Sequence, residues 1–247
     1  MNARSLINKN QFGEFELILH NNKFNIIAVC ETWLKPYIPN NLIDGNDKYY
    51  VYRKDRYNQR GGGVCFFIAK ILDCTIDVIN LGLKYDCIEY LAIDITYHHE
   101  ITRLIVAYIA PCKHESSAFS TLFAEFITQS CSINYRCCFV GDLNLPNVDW
   151  TNGVYPQSHE YTSICGALYD CGFHQTVTSP TRHDNILDLV LVNDPLIVNK
   201  LTVTCPLGNS DHNKVEFELI AAIPMRWTTT QTYQLSNTTL VKPTGLC

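Results

Sequence analysis

The sequence contains no C-x-x-C pair, no internal repeat, no surplus of positive charge, and no apolar run near the roughly 18 residues that suggest a membrane span. Each absence excludes something. Twelve cysteines in 247 residues, none spaced as a zinc or redox motif, read as buried reduced thiols of an intracellular protein rather than as a disulfide framework. The opening Met1-Asn2-Ala3-Arg4 is polar where a secretory signal is charged and then apolar. The expected protein is therefore nuclear or cytoplasmic, without signal peptide or transmembrane segment. A formal net charge of −5 excludes a uniformly basic nucleic-acid binder but leaves room for a local basic patch beside an acidic site.

What is present is enough to build a core. The chain is 47% hydrophobic, and no linker divides residues 1–222, so a single domain is expected there. From Pro224 onward Thr, Gln, Ser and Asn dominate without periodicity, and residues 223–247 are expected to form a poorly ordered tail.

Helical spacing of Leu6, Phe12, Phe15, Ile18 and Leu19 predicts an amphipathic helix over residues 5–22. Ile26 to Cys30 is a continuous apolar run, the mark of a strand covered on both faces. Further strands are expected near Tyr49 to Tyr52, Val64 to Ala69, 87–97, 101–109, Leu187 to Val192 and Leu201 to Cys205. Helices are expected over Ser116 to Ser130 and Glu160 to Cys171. The last strand, Asn213 to Ile220, alternates Val215, Phe217 and Leu219 with Lys214, Glu216 and Glu218, as a sheet with one wet face does. Intermixed strands and helices of this kind favour an α/β sandwich of two packed sheets flanked by helices.

The most informative stretch is Cys137 to Asn144. It reads as a buried strand that ends at Gly141 and delivers Asp142 and Asn144, two positions apart, toward one side. Several other polar residues also sit at strand ends. Glu31 follows the apolar run directly, as either a solvated terminus or a hard oxygen ligand suited to magnesium. Asp188 interrupts Ile186 to Val190, facing either a wet surface or a partner such as His212. Ser210-Asp211-His212 is either a capping turn or an oriented imidazole able to move a proton. Arg53, Lys54, Arg56 and Arg60, with Tyr57 interleaved, are either solvated surface or contacts to a phosphate backbone. Gly61-Gly62-Gly63 permits a tight turn or a close backbone approach.

Taken in order, Asn2-Ala3-Arg4-Ser5-Leu6, Glu31-Thr32-Trp33-Leu34, Gly61 to Val64, Gly141-Asp142-Leu143-Asn144 with Asp149-Trp150, Pro180-Thr181-Arg182 before Ile186 to Val190, and Ser210-Asp211-His212 resemble the endonuclease/exonuclease/phosphatase superfamily. More narrowly they resemble the apurinic-type endonuclease domain of non-LTR retrotransposons. The resemblance implies a magnesium-dependent nuclease, with manganese as a substitute, that nicks DNA and leaves a 3′-hydroxyl for a reverse transcriptase normally carried on the same polypeptide. It makes Glu31 the principal metal ligand, with Asn2 in support and Asp211 near the metal. Tyr108 contacts the phosphate, Asp142 orients or deprotonates the attacking water, Asn144 stabilises the transition state, and Asp188 pairs with His212. Members of this family begin with a strand leading into the Asn-Ala-Arg-Ser motif, whereas here Met1 directly precedes Asn2. The expectation is thus a two-sheet sandwich lacking its first strand, with Asn2 at a free terminus, and a truncated member without its reverse transcriptase. Phosphatases and phosphodiesterases share this architecture, and an inactive nucleic-acid-binding relic is the other alternative.

Overall fold

The computed structural model describes residues 1–57, 59–111 and 113–220; the expected tail lies outside them. The first helix, α1 (Lys9–His20), is shorter than its periodicity suggests. The Asn8 side chain accepts the Asn10 N–H and sets the N-cap there. Residues 5–8 instead form a turn. Three strands follow: β1 (Ile26–Cys30), β2 (Tyr49–Lys54) and β3 (Val64–Ala69), in the antiparallel order β1-β3-β2.

The larger sheet is built from β4 (Thr75–Ile79), β5 (Glu89–Tyr97), β6 (Glu100–Tyr108), β7 (Arg136–Asp142), β8 (His174–Gln175) and β9 (Asp188–Val192), in the order β4-β5-β6-β7-β9-β8. All its pairs are antiparallel except β6 with β7. A parallel pair needs a long crossover, and α2 (Ser117–Ser130) supplies it. The helix α3 (His159–Asp170) lies between β7 and β8 in the chain, and β10 (Val198–Thr204) with β11 (Lys214–Leu219) makes a separate two-stranded sheet.

Strand parity sorts the core into layers. On one face of the large sheet Ile105 and Phe139 meet Phe123 and Phe126 of α2 and Ile164 and Leu168 of α3. On the other, Ile93, Val106, Cys138 and Val190 meet Cys30, Phe66 and Ile68 of the small sheet, with Val215 and Phe217 of β11 packed against them. The outer face of the small sheet is covered by α1, where the Phe15 and Phe67 rings meet edge-on at 4.9 Å. Cys137 and Cys138 thus face opposite layers, as adjacent strand residues must. A cavity of about 710 Å³ remains between β1, β11 and the large sheet, with Ile26, Ala28, Val190 and Phe217 in its walls.

Asn2 does not hang free. It bridges Cys30 in parallel register. The Cys30 N–H donates to the Met1 carbonyl and the Ala3 N–H to the Cys30 carbonyl, each at 2.9 Å. The N-terminal ammonium donates to the Ala28 carbonyl, also at 2.9 Å. These backbone bonds hold the first residues in the sheet and leave Asn2 only 1% exposed.

Candidate active site

The register of the large sheet places Tyr108, Asp142 and Asp188 opposite one another on β6, β7 and β9. Neighbouring strands are about 4.8 Å apart, so these three side chains form a row on the face that looks toward the small sheet. The row needs a glycine just before it. Gly141 has φ +148°, and a Cβ there would lie 1.9 Å from the Ala107 carbonyl oxygen, so β6 and β7 reach this separation only without a side chain.

Beyond Asp142 the strand alternation ends. Asn144 adopts φ +46°, its N–H donates to Asp142 Oδ1 at 3.1 Å, and its amide donates to the Ile109 carbonyl at 2.7 Å. Asp142 and Asn144 therefore share the site through a turn, not through strand parity as the sequence suggested.

Glu31 reaches the row from β1. The backbone leaves the strand at this residue with φ +52°, a left-handed conformation that costs a non-glycine residue about 1 kcal/mol or more. Its carboxylate accepts from Tyr108 Oη at 2.8 Å and from Trp33 Nε1 at 2.9 Å. Asn2 joins the two halves: its Nδ2 donates to Asp142 Oδ2 at 2.8 Å and to Glu31 Oε1 at 3.3 Å.

His212 closes the far side. Its Nδ1 lies 2.7 Å from Asp188 Oδ2, and its Nε2 faces Asp142 Oδ2 at 3.8 Å and Asp211 Oδ1 at 4.0 Å. The Ser210 hydroxyl donates to the Asn2 carbonyl and accepts the His212 N–H, which ties this loop to the N-terminal segment. Thr181 accepts the N–H groups of Leu187 and Asp188 on its hydroxyl and so seats the start of β9. Asp211 pairs with Arg4 at 3.0 Å and Arg182 at 2.7 Å.

Burial and neighbouring charge shift these groups in different directions. Burial raises the Asp142 carboxyl well above the usual carboxylate range, and the Asp188 charge raises it further, against the opposing effects of His212, Asn2 and the Asn144 N–H. Burial works to lower His212, but the bond to Asp188 and the surrounding carboxylates outweigh it, and its value is raised. Burial likewise opposes the charge of Asp211, yet Arg182 and Arg4 prevail and its value is lowered. Tyr108 is held firmly as the phenol by burial and by Glu31.

Asn2, Glu31, Tyr108, Asp142, Asn144, Asp188, Asp211 and His212 therefore converge. The basic run divides. Arg53 turns inward, donates to the Lys35 and Ile38 carbonyls and pairs with Asp55. Lys54 donates to the Ile88 carbonyl and lies near Asp86. Arg56 pairs with Glu89 at the edge of the site, with its guanidinium 5.8 Å from the Tyr108 ring centre. A Cβ on Gly62 would collide with that pair, within 2.4 Å of both side chains. Arg60 is exposed and lies over the Trp33 ring at 5.0 Å. Residue-by-residue reading missed Trp33 as the donor to Glu31, Arg4 and Arg182 as partners of Asp211, and Glu89 as the anchor of Arg56. Trp33, Arg4 and Arg182 lie inside the quoted motifs, but their roles depend on long-range packing.

The donor set suits a hard divalent cation. Glu31 forms no ion pair among the described residues, and neutral donors alone serve it. Asp142, Asp188 and His212 each offer a ligand atom within 4.8 Å of the others. Asp211 Oδ1 makes no hydrogen bond of good geometry, although the Arg4 guanidinium lies 3.0 Å from it. The nearby Cys30 thiol donates to the Ala107 carbonyl, and burial keeps it protonated, so the ligands around Glu31 and Asp142 are mainly carboxylate and amide oxygens, which suit a hard divalent cation.

Comparison with known proteins agrees with this geometry. Residues 102–216 match the family model described as endonuclease-reverse transcriptase. Among solved structures, the endonuclease domain of TRAS1, a telomere-specific non-LTR retrotransposon, superposes with a TM-score of 0.65 at 15% identity, over 89% of this chain and 95% of that one. A 3′ phosphatase from Neisseria bound to product DNA hairpin gives 0.64 at 16% identity, over 89% and 97%. An AP endonuclease from Archaeoglobus fulgidus gives 0.64 at 13% identity, over 88% and 96%. A search of curated proteins found no match. The family match is confined to residues 102–216, and the solved structures show a shared fold.

Proposed function

We propose that this chain is a divalent-metal-dependent DNA endonuclease of the retrotransposon type, which hydrolyses one phosphodiester at a target site. The observation that carries this reading is the junction at Asn2, whose single amide nitrogen bridges Glu31 and Asp142 within reach of the Asp188–His212 pair. Neighbours described as nucleases and phosphatases support a hydrolase at the coarser level. The TRAS1 likeness and the matched family description favour DNA as substrate and a reverse transcriptase as functional partner. No helix among the described residues is long and apolar enough to cross a membrane.

Phosphodiester cleavage needs an activated water, an in-line geometry and relief of the charge that develops on phosphoryl oxygens. Glu31 and Asp142, with Asn2 and Asp211 beside them, would hold magnesium or manganese, which when bound supplies charge neutralisation at the phosphate. Asp188 accepts the Nδ1 proton of His212 and leaves Nε2 facing the pocket, where it can take or give a proton. Asp142 Oδ2, near that nitrogen, orients the attacking water. Tyr108 donates to Glu31 in the free protein and is positioned to donate to a phosphoryl oxygen. Asn144 has a second amide hydrogen, beyond the one bound to the Ile109 carbonyl, for the same purpose.

The test is conversion of supercoiled plasmid to nicked circle in magnesium by the wild type and by Asp142→Asn and His212→Ala. Wild-type nicking that falls by about 10²-fold or more in each variant is the expected result. Equal rates for all three proteins would overturn the reading. Phosphate release from a 3′-phosphorylated oligonucleotide without any nicking would move the assignment to a phosphatase.

A further inference from the structure

A second concave surface adjoins the catalytic row. It is a groove of about 640 Å³ with Arg4, Lys35, Arg60, Trp33, Tyr37 and Gln11 in its walls. Among the described residues no Asp or Glu lines it, although the chain as a whole carries a net charge of −5. Two of its walls are shared with the catalytic site: Arg4 pairs with Asp211, and Trp33 donates to Glu31. A ligand in the groove therefore lies one side chain away from the reacting atoms.

The state of the cations narrows the ligand class. Lys35 donates to the backbone carbonyls of Arg56 and Gln59, which fixes its ammonium without neutralising it. Arg60 is exposed, over the Trp33 ring, and forms no carboxylate ion pair among the described residues. Arg4 keeps a half-exposed guanidinium beyond its bond to Asp211. Tyr37 is 81% exposed, a large aromatic surface that the protein's own packing does not use. Lys35 and Arg60 have no carboxylate partner among the described residues and Arg4 shares Asp211 with Arg182, so positive charge is left over to attract phosphate, and an exposed aromatic face next to it stacks with bases. Both chemistries occur together in a nucleotide.

We propose that this groove is a subsite for one nucleotide flanking the scissile phosphate, with its base against Tyr37 and Trp33 and its phosphate against Arg4 and Arg60. Occupancy of the groove sets where along the DNA the protein cuts. The proposal rests on the nuclease reading above, and the experiment separates the two. Binding of a fluorescein-labelled single-stranded oligodeoxynucleotide is measured by anisotropy in EDTA, where no cleavage occurs, and nick positions on plasmid are mapped in magnesium by sequencing. Both measurements use the full chain with Tyr37→Ala, Tyr37→Phe and Arg60→Ala.

The expected result is a loss of about tenfold in affinity for Tyr37→Ala and recovery in Tyr37→Phe, which keeps the ring. Arg60→Ala should show a shallower salt dependence, and the pattern of nick positions should flatten in Tyr37→Ala. Tyr37 is exposed and outside the core, and a matched melting curve controls for misfolding. If Tyr37→Ala and Arg60→Ala bind the oligonucleotide as wild type does and nick at the same positions, the subsite is refuted while the nuclease reading stands. If the wild type binds in a Tyr37-dependent way but never nicks, nucleotide binding in the groove stands while the nuclease reading falls, and with it the placement beside a scissile phosphate.

Discussion

Replacing Asp188 by Asn tests the core of the catalytic arrangement with little change of shape. The side chain is 5% exposed and its Oδ2 lies 2.7 Å from His212 Nδ1. Burial alone would lower the imidazole's affinity for a proton; Asp188 is the first of the effects that raise it, followed by Asp142 and Asp211. A hydrogen bond to a charged group contributes about 1.5–3 kcal/mol, so its loss should lower the His212 midpoint. The amide can also donate to Nδ1 and move the imidazole proton to Nε2, the wrong tautomer for a base facing the pocket. Nicking should then fall by about 10²- to 10⁴-fold. Stability should change far less, because the Asp188 charge also raises Asp142, and removing it relieves that repulsion. The sign of the pH effect follows from linkage. A raised folded value means that the His212–Asp188 pair stabilises the fold below the unfolded histidine value and loses this contribution as pH rises through the folded one. Asp188→Asn should therefore lose most stability in the acid range and little at alkaline pH. The assays are histidine titration by NMR in metal-free protein, melting curves against pH, and plasmid nicking. A His212 midpoint at or above the wild-type value, or nicking within tenfold of wild type, would refute the reasoning.

Other perturbations have separate readouts. Saturating magnesium at about 100 times its dissociation constant should stabilise the fold by about 2.7 kcal/mol and raise the melting temperature by about 5–10 °C; the same shift in Glu31→Gln would refute Glu31 as a ligand. Gly141→Ala forces a Cβ onto the Ala107 carbonyl and should lower the melting temperature by about 6–12 °C, for a cost of about 3 kcal/mol; an unchanged melting curve would contradict the tight β6–β7 approach. In Asp94, burial opposes ionisation but the bonds from Arg103 and Tyr135 prevail and its value is lowered. The deficit of Asp94→Asn, about 2 kcal/mol, should be full at neutral pH, begin to shrink as pH falls below about 3.9, and vanish only below the lowered folded value, where the wild-type carboxyl is protonated in both states. Arg53→Ala should destabilise the fold by about 2 kcal/mol, because it strands the buried Asp55, without altering the salt slope of DNA binding that Arg60→Ala reduces.

The strands and helices were readable because their patterns are local. The β7 run ends at the carboxylate expected from it, and Glu31 stands where the first buried run stops. The parts that could not be read are set by pairings far apart in sequence. Asn2 and Asp142 are 140 positions apart, and their bond depends on Met1 to Ala3 joining β1 in parallel register. A terminal tripeptide carries no periodicity from which that could be inferred. Arg53 looked like part of a surface charge run, yet β2 pairs it with Cys65 of β3 and directs its guanidinium inward to two carbonyls. Strand alternation does not bring Asn144 beside Asp142; an Asx turn does.

The distribution of charge explains why these acidic groups can share so small a volume. Asp211 is balanced by two arginines, and Asp188 is balanced by an imidazole that it helps to protonate. Glu31 and Asp142 receive mainly neutral donors: an amide, a phenol, an indole and a backbone N–H. Dipoles orient a carboxylate without cancelling its charge, so negative potential is concentrated between those two groups. Burial, and then the Asp188 charge, raise the Asp142 carboxyl, which is a cost of holding it ionised there. A cation placed there would relieve it, and a phosphate could then approach a pocket whose own charge would otherwise repel it. The arginines around Asp211 and the groove beyond them supply attraction for the rest of a nucleic-acid strand. Under the proposed reading, the neutral donors at Glu31 and Asp142 would favour a cation between them, and the arginines flanking Asp211 would favour the phosphate beside it.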